Sequence, residues 1–213
     1  MNPYFQINLD VAERSCLVVG GGDEATEKSD RLLDAGARLT LVSPRITPRL
    51  QESARDGKLR YFQRRFRFED LDDVFLVVNT ARSNPELTRQ VFETACARGI
   101  LINSYDQPAF SNFGMVALVH PGHLRLSIST SNASPSLASR LRQDLEALFD
   151  EEFVDYLEQL ARVRQHLKAR EPDREKRIER LRSLVATFRL EGRLHYPENW
   201  REQVETLLTQ DLE

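Results

Sequence analysis

A glycine-rich turn near the start of the chain carries the pattern G-x-G-x-x-A. It contains Gly20, Gly22 and Ala25, it follows the apolar residues 16–19, and it leads into a helix-like stretch. In the order strand, turn and helix, Gly20 permits a tight turn, Gly22 lets backbone N–H groups approach phosphate oxygens, and Ala25 lets the helix pack closely. The pattern therefore predicts a dinucleotide pyrophosphate at the start of the helix. The alternative is a turn that serves strand–helix packing alone.

The end of the second predicted strand is where many NAD-binding folds hold the ribose hydroxyls with Asp or Glu. Here the sequence is Ser43-Pro44-Arg45, without a carboxylate. Ser43 can still hydrogen-bond a ribose, whereas Arg45 fits either the 2′-phosphate of NADP or an ordinary solvated arginine. The residues alone leave the choice between NAD and NADP open. We expect the cofactor to contact the glycine turn and nearby strand ends: Gly20, Gly22, Asp23, Glu24, Ala25, Ser43, Pro44, Arg45 and Thr80.

Strands and helices alternate through the first half of the chain, which predicts an α/β fold with a Rossmann-type, doubly wound parallel sheet. Besides the run before the glycines, the predicted strands are 38–43, 59–63, 74–79 and 100–103. The run 74–79 is almost continuously apolar, as is typical of a central parallel strand covered on both faces. The predicted helices are 27–35 and 85–98, with Asn84 as the N-cap of the second.

The pattern changes after Asp106. Residues 115–119 and 124–129 predict an antiparallel hairpin, with Pro121 and Gly122 at the central positions of a type II turn. A capped helix then follows to about residue 149, and from residue 151 the chain reads as charged helices. We therefore predict three parts, listed by residue number: a dinucleotide-binding domain at 1–113, a small hairpin-plus-helix segment at 114–150, and a helical domain at 151–213.

Composition excludes several functional classes. The 213 residues carry a net charge of -3, which argues against a protein whose main partner is nucleic acid. No apolar stretch approaches the roughly 18 residues that span a bilayer, and the first residues lack the pattern of a secretion signal. The two cysteines, Cys16 and Cys96, are expected to be buried thiols, which predicts a cytoplasmic location. No C-x-x-C or H-x-x-x-H spacing predicts a metal site.

Four segments of the sequence carry a family resemblance. Two of them, residues 16–28 and 33–40, are shared with many Rossmann proteins. The other two are more specific: Asn103-Ser104-Tyr105-Asp106-Gln107-Pro108 followed by Phe113 and Met115, and Ser127-Ile128-Ser129-Thr130-Ser131 followed by Ala133-Ser134-Pro135. Together they resemble the precorrin-2 dehydrogenase/sirohydrochlorin ferrochelatase family, which also forms the N-terminal half of bifunctional sirohaem synthases. The resemblance covers the chain well to about residue 150, and the rest only as a charged helical domain.

The resemblance implies a cofactor, a reaction and a homodimer. The cofactor is NAD, the reaction is the oxidation of precorrin-2 to sirohydrochlorin, and the residues 114–150 dimerise with a second copy. In part of the family Fe2+ is then inserted as a second reaction, for which the sequence offers no ligand cluster. The resemblance also makes Asp106 the group that accepts a proton from the substrate. The alternative role of Asp106 is to start the Asp-Gln-Pro turn.

The polar run after the hairpin is the predicted substrate contact. Its candidate residues are Ser129, Thr130, Ser131 and Ser134, whose hydroxyls and backbone N–H groups would bind a substrate carboxylate at the helix start. A plain capped helix start explains Ser134 equally well. Two functions of other classes also remain open: a non-catalytic NAD-binding module that senses redox state, and a carrier that binds sirohydrochlorin without converting it. A sensor needs neither Asp106 nor the polar run, so the presence of both favours the enzyme.

Overall fold

The computed structural model describes residues 5–81 and 85–209, so the predicted cap Asn84 lies outside the described residues. Five parallel strands form one sheet in the order β3-β2-β1-β4-β5. The elements that build it are, in chain order, β1 (Ser15–Val19), α1 (Asp23–Asp34), β2 (Arg38–Val42), α2 (Pro48–Arg55), β3 (Leu59–Phe62), β4 (Leu76–Asn79), α3 (Pro85–Ala97) and β5 (Leu101–Ser104). This order confirms the predicted doubly wound sheet.

The strand order reverses between β1 and β4, which leaves a crevice at the carboxyl ends of these two neighbouring strands. In open α/β sheets this is where ligands bind. The glycine turn follows β1 and Thr80 follows β4, so the fold brings these two predicted cofactor contacts to the same edge.

Two helices differ from their prediction. The helix α1 begins at Asp23, four residues before the predicted start, because its first turn is polar and shows no apolar period. The helix α2 was not predicted at all. It begins after Thr47, whose hydroxyl accepts a hydrogen bond from the Leu50 N–H at 3.3 Å, with Pro48 in the first turn. A cap followed by proline was the available signal for this helix.

The sheet is covered on both faces, as the apolar strands require. Val18, Leu41 and Val78 lie in one buried cluster, and Leu17 and Val77 lie in the other. Residues alternate between the two clusters along each strand because successive side chains point to opposite faces. A core of this kind holds the strand ends, and therefore the residues that follow them, in fixed positions.

The prediction of two buried thiols was half wrong. Cys16 is buried in β1, and burial raises the pKa of its thiol to about 11. Cys96, however, is exposed. It follows the fully buried Ala95 on α3, and one residue further along a helix the side chain points about 100° away from the core.

The strands β6 (Ala117–Val119) and β7 (Leu126–Ile128) pair in antiparallel fashion, as predicted. The turn between them differs from the prediction. The Leu124 N–H donates to the Pro121 carbonyl at 3.0 Å, so the central residues are Gly122 and His123 rather than proline and glycine. Gly122 has φ +53 and an added Cβ would lie 3.0 Å from Val154, which favours glycine at this position.

The helix α4 (Pro135–Glu146) follows the hairpin, with Ser134 as its N-cap. The chain divides into two compact units. The first comprises the residues up to His120 together with Arg125–Leu148, and the second comprises Pro121–Leu124 and the residues from Phe149 onward. The three-part division at 113 and 150 remains a prediction.

The second unit contains α5 (Glu151–Arg170), α6 (Arg174–Val185) and α7 (Trp200–Thr209). Asp150 and Asp173 cap α5 and α6 through their carboxylates. The ring of Phe188 lies 6.2 Å from that of Phe153 and is stacked at 5.9 Å on that of Tyr156, whose hydroxyl donates to the Leu184 carbonyl at 2.8 Å. These aromatic contacts hold the end of α6 and the residues that follow it against α5.

Candidate functional site

The first glycine of the turn is required by the approach of β4. Gly20 has φ +117, and an added Cβ would lie 2.2 Å from the Thr80 hydroxyl oxygen. Its N–H donates to the Val42 carbonyl at 3.1 Å. Thr80 is itself held in place, because its N–H and its hydroxyl both donate to the Val19 carbonyl, at 2.8 and 3.0 Å. The turn therefore lies directly against the ends of β2 and β4.

The second glycine, Gly21, is a sterically constrained position that the sequence pattern did not single out. An added Cβ would lie 2.0 Å from the Arg45 carbonyl oxygen and 2.8 Å from the Ser43 hydroxyl. The Gly21 carbonyl accepts a hydrogen bond from the Thr47 N–H at 3.0 Å. The loop after β2 thus closes on the turn from the other side. The only sequence signal was that all three residues 20–22 are glycine.

The third glycine, Gly22, faces open space and leaves the start of α1 accessible. It is the N-cap of the helix, no side chain caps the first turn, and an added Cβ would meet nothing within 4 Å. The first helical hydrogen bond is the 3.0 Å bond from the Thr26 N–H to the Gly22 carbonyl, so the amides before it lie outside the helical ladder. Such amides, with the positive end of the helix dipole, are suited to a pyrophosphate.

The neighbours of this helix start fit the same ligand. Ala25 is fully buried, which is the close packing that the pattern requires. Asp23 is exposed and Glu24 is half-buried. The residues of the turn therefore fit a dinucleotide through backbone donors and space rather than through cationic side chains.

The residues after β2 are placed differently from their expected role. Ser43 is buried, and its hydroxyl donates to the Arg45 carbonyl at 2.7 Å. Its own carbonyl accepts from the Tyr61 hydroxyl at 2.9 Å. The Ser43 hydroxyl hydrogen is therefore used in a bond within the loop. The Ser43 oxygen can still accept a hydrogen bond from a ribose, but the hydroxyl has no hydrogen left to donate to it. Pro44 and Arg45 are exposed at the surface of this loop.

Asp106 lies two residues beyond the end of β5, in a backbone conformation unusual for aspartate. It is exposed and has φ +58. The Gln107 N–H donates to the Ser104 carbonyl at 3.1 Å, which closes a turn around Asp106. Left-handed backbone outside glycine carries strain, and aspartate is among the residues that tolerate it best. The turn and the catalytic role are compatible, since the residue is exposed within the turn.

A cavity of about 850 Å³ lies in the first unit beside this edge of the sheet. Its size is in the range of small-molecule sites. It is lined by one face of α1, by Tyr105, by the hairpin and by the start of α4: Glu24, Glu27, Lys28, Asp30, Arg31, Asp34, Tyr105, Met115, Val116, Ala117, Leu118, His120, Ile128, Ser129, Thr130, Asn132, Pro135, Ala138, Ser139 and Arg142.

The cavity brings some predicted site residues together and leaves others out. Glu24, Ser129 and Thr130 line it, and Tyr105 joins it to the turn that carries Asp106. Asp106, Ser131 and Ser134 lie outside its lining. The fold therefore groups the polar run, the start of α1 and the exit of β5, which are distant in the sequence.

The hydroxyls of the polar run already accept hydrogen bonds from the backbone. The Ser129 hydroxyl accepts from the Ser131 N–H and the Thr130 hydroxyl from the Ser134 N–H, both at 3.1 Å. Each such hydroxyl keeps its own hydrogen to donate to a ligand. The Ser134 hydroxyl accepts from the Leu137 N–H at 3.2 Å and caps α4. Ser129 and Thr130 thus combine a fixed oxygen with a donor in the cavity.

Three cations in the cavity were missed by the sequence analysis: Lys28, Arg31 and Arg142. The signal for Lys28 was its place on the inward face of α1, between the buried Ala25 and Leu32. Its ammonium lies 2.6 Å from the Glu27 carboxylate. Burial alone would raise the pKa of Glu27, but the hydrogen bond and the charge of Lys28, with Arg31, hold it below its ordinary value.

Residues 5–81 and 85–209 contain no cluster of candidate metal ligands and no helix suited to crossing a membrane. Within these ranges no group of three or more His, Cys, Asp or Glu side chains could hold a metal ion. In the same part of the chain no helix is both long enough and apolar enough to cross a membrane.

Comparison with known proteins identifies relatives of this arrangement. The family model described as "Putative NAD(P)-binding" matches residues 7–117. A siroheme synthase of Nitrosococcus oceani is 34% identical over 167 residues, which are 78% of this chain and 36% of the relative. Siroheme synthase 2 of Cronobacter sakazakii is 38% identical over 145 residues, which are 68% of this chain and 32% of the relative. The chain spans about a third of the length of the curated relatives it matches.

A solved structure resembles the chain over most of its length. It is SirC, a precorrin-2 dehydrogenase, with a TM-score of 0.74 and 29% sequence identity over 85% of this chain and 89% of SirC. The likeness therefore extends beyond the dinucleotide-binding sheet, which agrees with the specific segments found in the sequence. The chain belongs to the NAD(P)-binding family that the model describes, and the resemblance of its sequence to the precorrin-2 dehydrogenases and siroheme synthases is confirmed.

Proposed function

We propose that the chain is an NAD-dependent dehydrogenase that oxidises precorrin-2 to sirohydrochlorin. The observation that carries the proposal is the open start of α1 at Gly22, next to a cavity that Glu24 and Tyr105 help to line. The names of the siroheme synthases and of SirC support this substrate. Of the alternatives, a redox sensor would use the glycine turn but has no need of a cavity of this size beside it.

The residues of the chain would hold the cofactor in a defined place. The backbone amides from Gly22 to Ala25 would bind the pyrophosphate, and the loop of Ser43, Pro44 and Arg45 would lie beside the adenosine ribose, with Thr80 on the far side of the turn. NAD+, when bound, accepts the hydride removed from the substrate. The site offers no carboxylate at the end of β2, so we expect the ribose to be held less tightly than in folds that have one.

Asp106 would accept the proton that the tetrapyrrole loses with the hydride. Asp106 is exposed and lies in the turn after β5, at the carboxyl edge of the sheet. The oxidation removes one hydride and one proton from the tetrapyrrole. A base at this edge would accept the proton, which the cofactor does not take. The donors Ser129 and Thr130 would bind the substrate's carboxylates.

Two parts of the proposal rest on the relatives more than on the site. One is the insertion of Fe2+, as substrate, into sirohydrochlorin, which the siroheme synthase names suggest. The other is a homodimer formed through residues 114–150, where Leu137 and Leu148 are 51% and 48% exposed. A cytoplasmic location is likewise proposed, on the basis of the cysteine content.

An anaerobic assay tests the reaction. Precorrin-2 and NAD+ should give the absorbance of sirohydrochlorin and one equivalent of NADH, and added Fe2+ should then give sirohaem. A redox sensor would bind NAD+ and form neither product. A carrier would shift the spectrum of sirohydrochlorin without forming NADH. Formation of neither product with well-folded protein would contradict the proposal.

Replacement of Asp106 by Asn tests the base. We expect kcat for precorrin-2 oxidation to fall by about 10²–10⁴-fold, because general acid–base groups contribute in this range. Asn keeps the tolerance for left-handed backbone, so the turn should persist. The matched control is Asp73→Asn, since Asp73 is also exposed and has φ +58, but precedes β4. NADH affinity should be unchanged in both variants. Equal kcat in the two would remove Asp106 from the mechanism.

A further inference from the structure

The cavity contains charges that the reaction above does not use. Four carboxylates of α1 line it, Glu24, Glu27, Asp30 and Asp34, together with the three cations. A substrate rich in carboxylates would meet repulsion along most of α1. Its own carboxylates can therefore lie only where a cation or a hydroxyl donor offsets that repulsion.

Lys28 is a largely buried lysine with hydrogen-bond donors that no protein group uses within the described residues. Its side chain is only 10% exposed, although lysine is rarely buried in proteins. Within residues 5–81 and 85–209 its hydrogen-bonding partner is the Glu27 carboxylate, which takes one of its three N–H groups. The other two are available to a ligand, since Lys28 lines the cavity and its side chain is largely buried, where a charge-assisted hydrogen bond is strong.

Arg31 has a different role, although it also lines the cavity. Its guanidinium lies 3.5 Å from the Glu27 carboxylate and donates to the Val116 carbonyl at 3.4 Å. It therefore links α1 to the chain just before β6. Because its contacts join two elements of the wall, we assign Arg31 to maintaining the wall of the cavity.

Arg142 is the second cation with N–H donors available to a ligand. Arg140, on the same helix, provides a direct comparison. Arg140 and Arg142 each pair with the acid four residues later, Asp144 and Glu146 respectively. The Arg140 side chain is 70% exposed and lies outside the cavity lining, whereas that of Arg142 is 33% exposed and lies within it. Arginine has five N–H donors, so one acid leaves others for a second carboxylate.

The hydroxyl donors lie on the same side as Arg142. Ser129 and Thr130 precede α4 and line the cavity, with their oxygens fixed by backbone N–H groups. The two walls thus differ: α1 is acidic apart from Lys28 and Arg31, and the wall that leads into α4 presents hydroxyls and a guanidinium.

From this arrangement we infer that Lys28 and Arg142 are the specificity-determining residues that bind two separate carboxylates of the tetrapyrrole, while the carboxylates of α1 exclude other orientations. The inference rests on the proposed function for the identity of the substrate. It assigns the two cations to substrate recognition and Asp106 to the proton transfer. Binding and catalysis should therefore respond to different substitutions.

The test compares Lys28→Met and Arg142→Gln with Arg140→Gln as the matched control. Methionine keeps the apolar stem of Lys28, and the two glutamines remove the same charge from the same helix. Because a charge-assisted hydrogen bond is lost, we expect each cavity variant to raise KM for precorrin-2 by about tenfold or more. We expect kcat to stay within about twofold, and NADH affinity to stay at the wild-type value. Arg140→Gln should match the wild type throughout.

A binding measurement separates this inference from the reaction. Sirohydrochlorin is titrated into protein without NAD and followed by its absorbance, at low and at moderate salt. The cavity variants should bind it about tenfold more weakly and with less dependence on salt than Arg140→Gln. If the wild type oxidises precorrin-2 but both cavity variants equal Arg140→Gln in KM and in this titration, the inference is overturned and the proposed function stands.

Two other outcomes are equally decisive. If the folded wild type neither oxidises precorrin-2 nor binds sirohydrochlorin, the proposed function fails and the inference fails with it. If Lys28→Met does not fold, as judged by circular dichroism and gel filtration, Arg142→Gln decides: weaker binding than Arg140→Gln supports the inference, and equal binding overturns it.

Discussion

The starts of α1 and α4 are two solutions to the same problem, because the first amides of any helix lack partners within it. At α4 the Ser134 hydroxyl accepts from the Leu137 N–H, so the chain satisfies a donor itself. At α1 the cap is Gly22, which has no side chain and faces open space. The helices α2, α5 and α6 resemble α4 in having a side-chain cap.

The difference shows which helix start is built to receive an outside group. Where no ligand binds at the helix start, a serine cap blocks nothing, and it stabilises the helix by about 1 kcal/mol. At α1 the glycine cap forgoes only a few tenths of a kcal/mol of that stabilisation, and the amides remain available to a phosphate. The comparison therefore favours α1 as the cofactor site, and it favours capping over substrate binding as the role of Ser134. Ser129 and Thr130 remain the proposed substrate contacts.

The largest expected effect comes from adding a side chain at the most crowded glycine of the turn. In Gly21→Ala the new Cβ would lie 2.0 Å from the Arg45 carbonyl, so the loop after β2 must move. We expect a loss of about 1–3 kcal/mol in the free energy of unfolding, together with weaker NAD binding. Thermal unfolding and NADH fluorescence titration measure the two effects. A variant with wild-type stability would show that the loop adapts, and that Gly21 is not required for the turn.

The sharpest test of the comparison is Gly22→Ser, which gives α1 the kind of cap that α4 has. Serine caps better than glycine by a few tenths of a kcal/mol, so stability should be kept or slightly increased. The affinity for NADH should fall by about tenfold or more, because the side chain occupies the place proposed for the pyrophosphate and competes for its donors. Opposite signs in the two measurements support the proposed site. Unchanged NADH affinity would place the cofactor elsewhere.

The smallest expected effect is that of Ser134→Ala. Loss of the cap should cost about 1 kcal/mol in the free energy of unfolding, measured by urea denaturation. Sirohydrochlorin affinity should remain at the wild-type value, since the hydroxyl is bonded to Leu137 and lies outside the cavity lining. Ser136→Ala, in the first turn of the same helix, is the control for a serine without a capping role. A selective loss of sirohydrochlorin binding in Ser134→Ala would restore this residue to the substrate site.

The sheet and its order were predictable because their signals are local. Each signal depends on only a few adjacent residues. Examples are the apolar run 74–79, the glycines after helices and the motif at Gly20. The helix α2 was missed because its eight residues bury a single side chain, Leu50, which leaves little apolar period to detect. The turn at Gly122 was displaced by one residue because proline and glycine favour two adjacent positions, and the pairing of β6 with β7 selects between them.

The candidate site was predictable only in part, for a related reason. The glycine turn and the serine cap could be read from the sequence, since each depends on backbone geometry over four or five residues. Lys28 and Arg142 could not be recognised as a pair, because they lie 114 positions apart and no local pattern connects them. The exposure of Cys96 was also hidden, since one residue decides which side of α3 faces the core.

The sequence by itself determined a doubly wound sheet, a glycine turn after its first strand, and a polar run that begins a helix. These features follow from secondary-structure propensity and from the period of apolar residues, and both depend on near neighbours along the chain. Only the tertiary structure decided which helix start stays open, which hydroxyls line a cavity, and which cationic side chains line it with them. Those properties depend on what packs against each group from distant parts of the chain, and desolvation and steric contact are set by that packing alone.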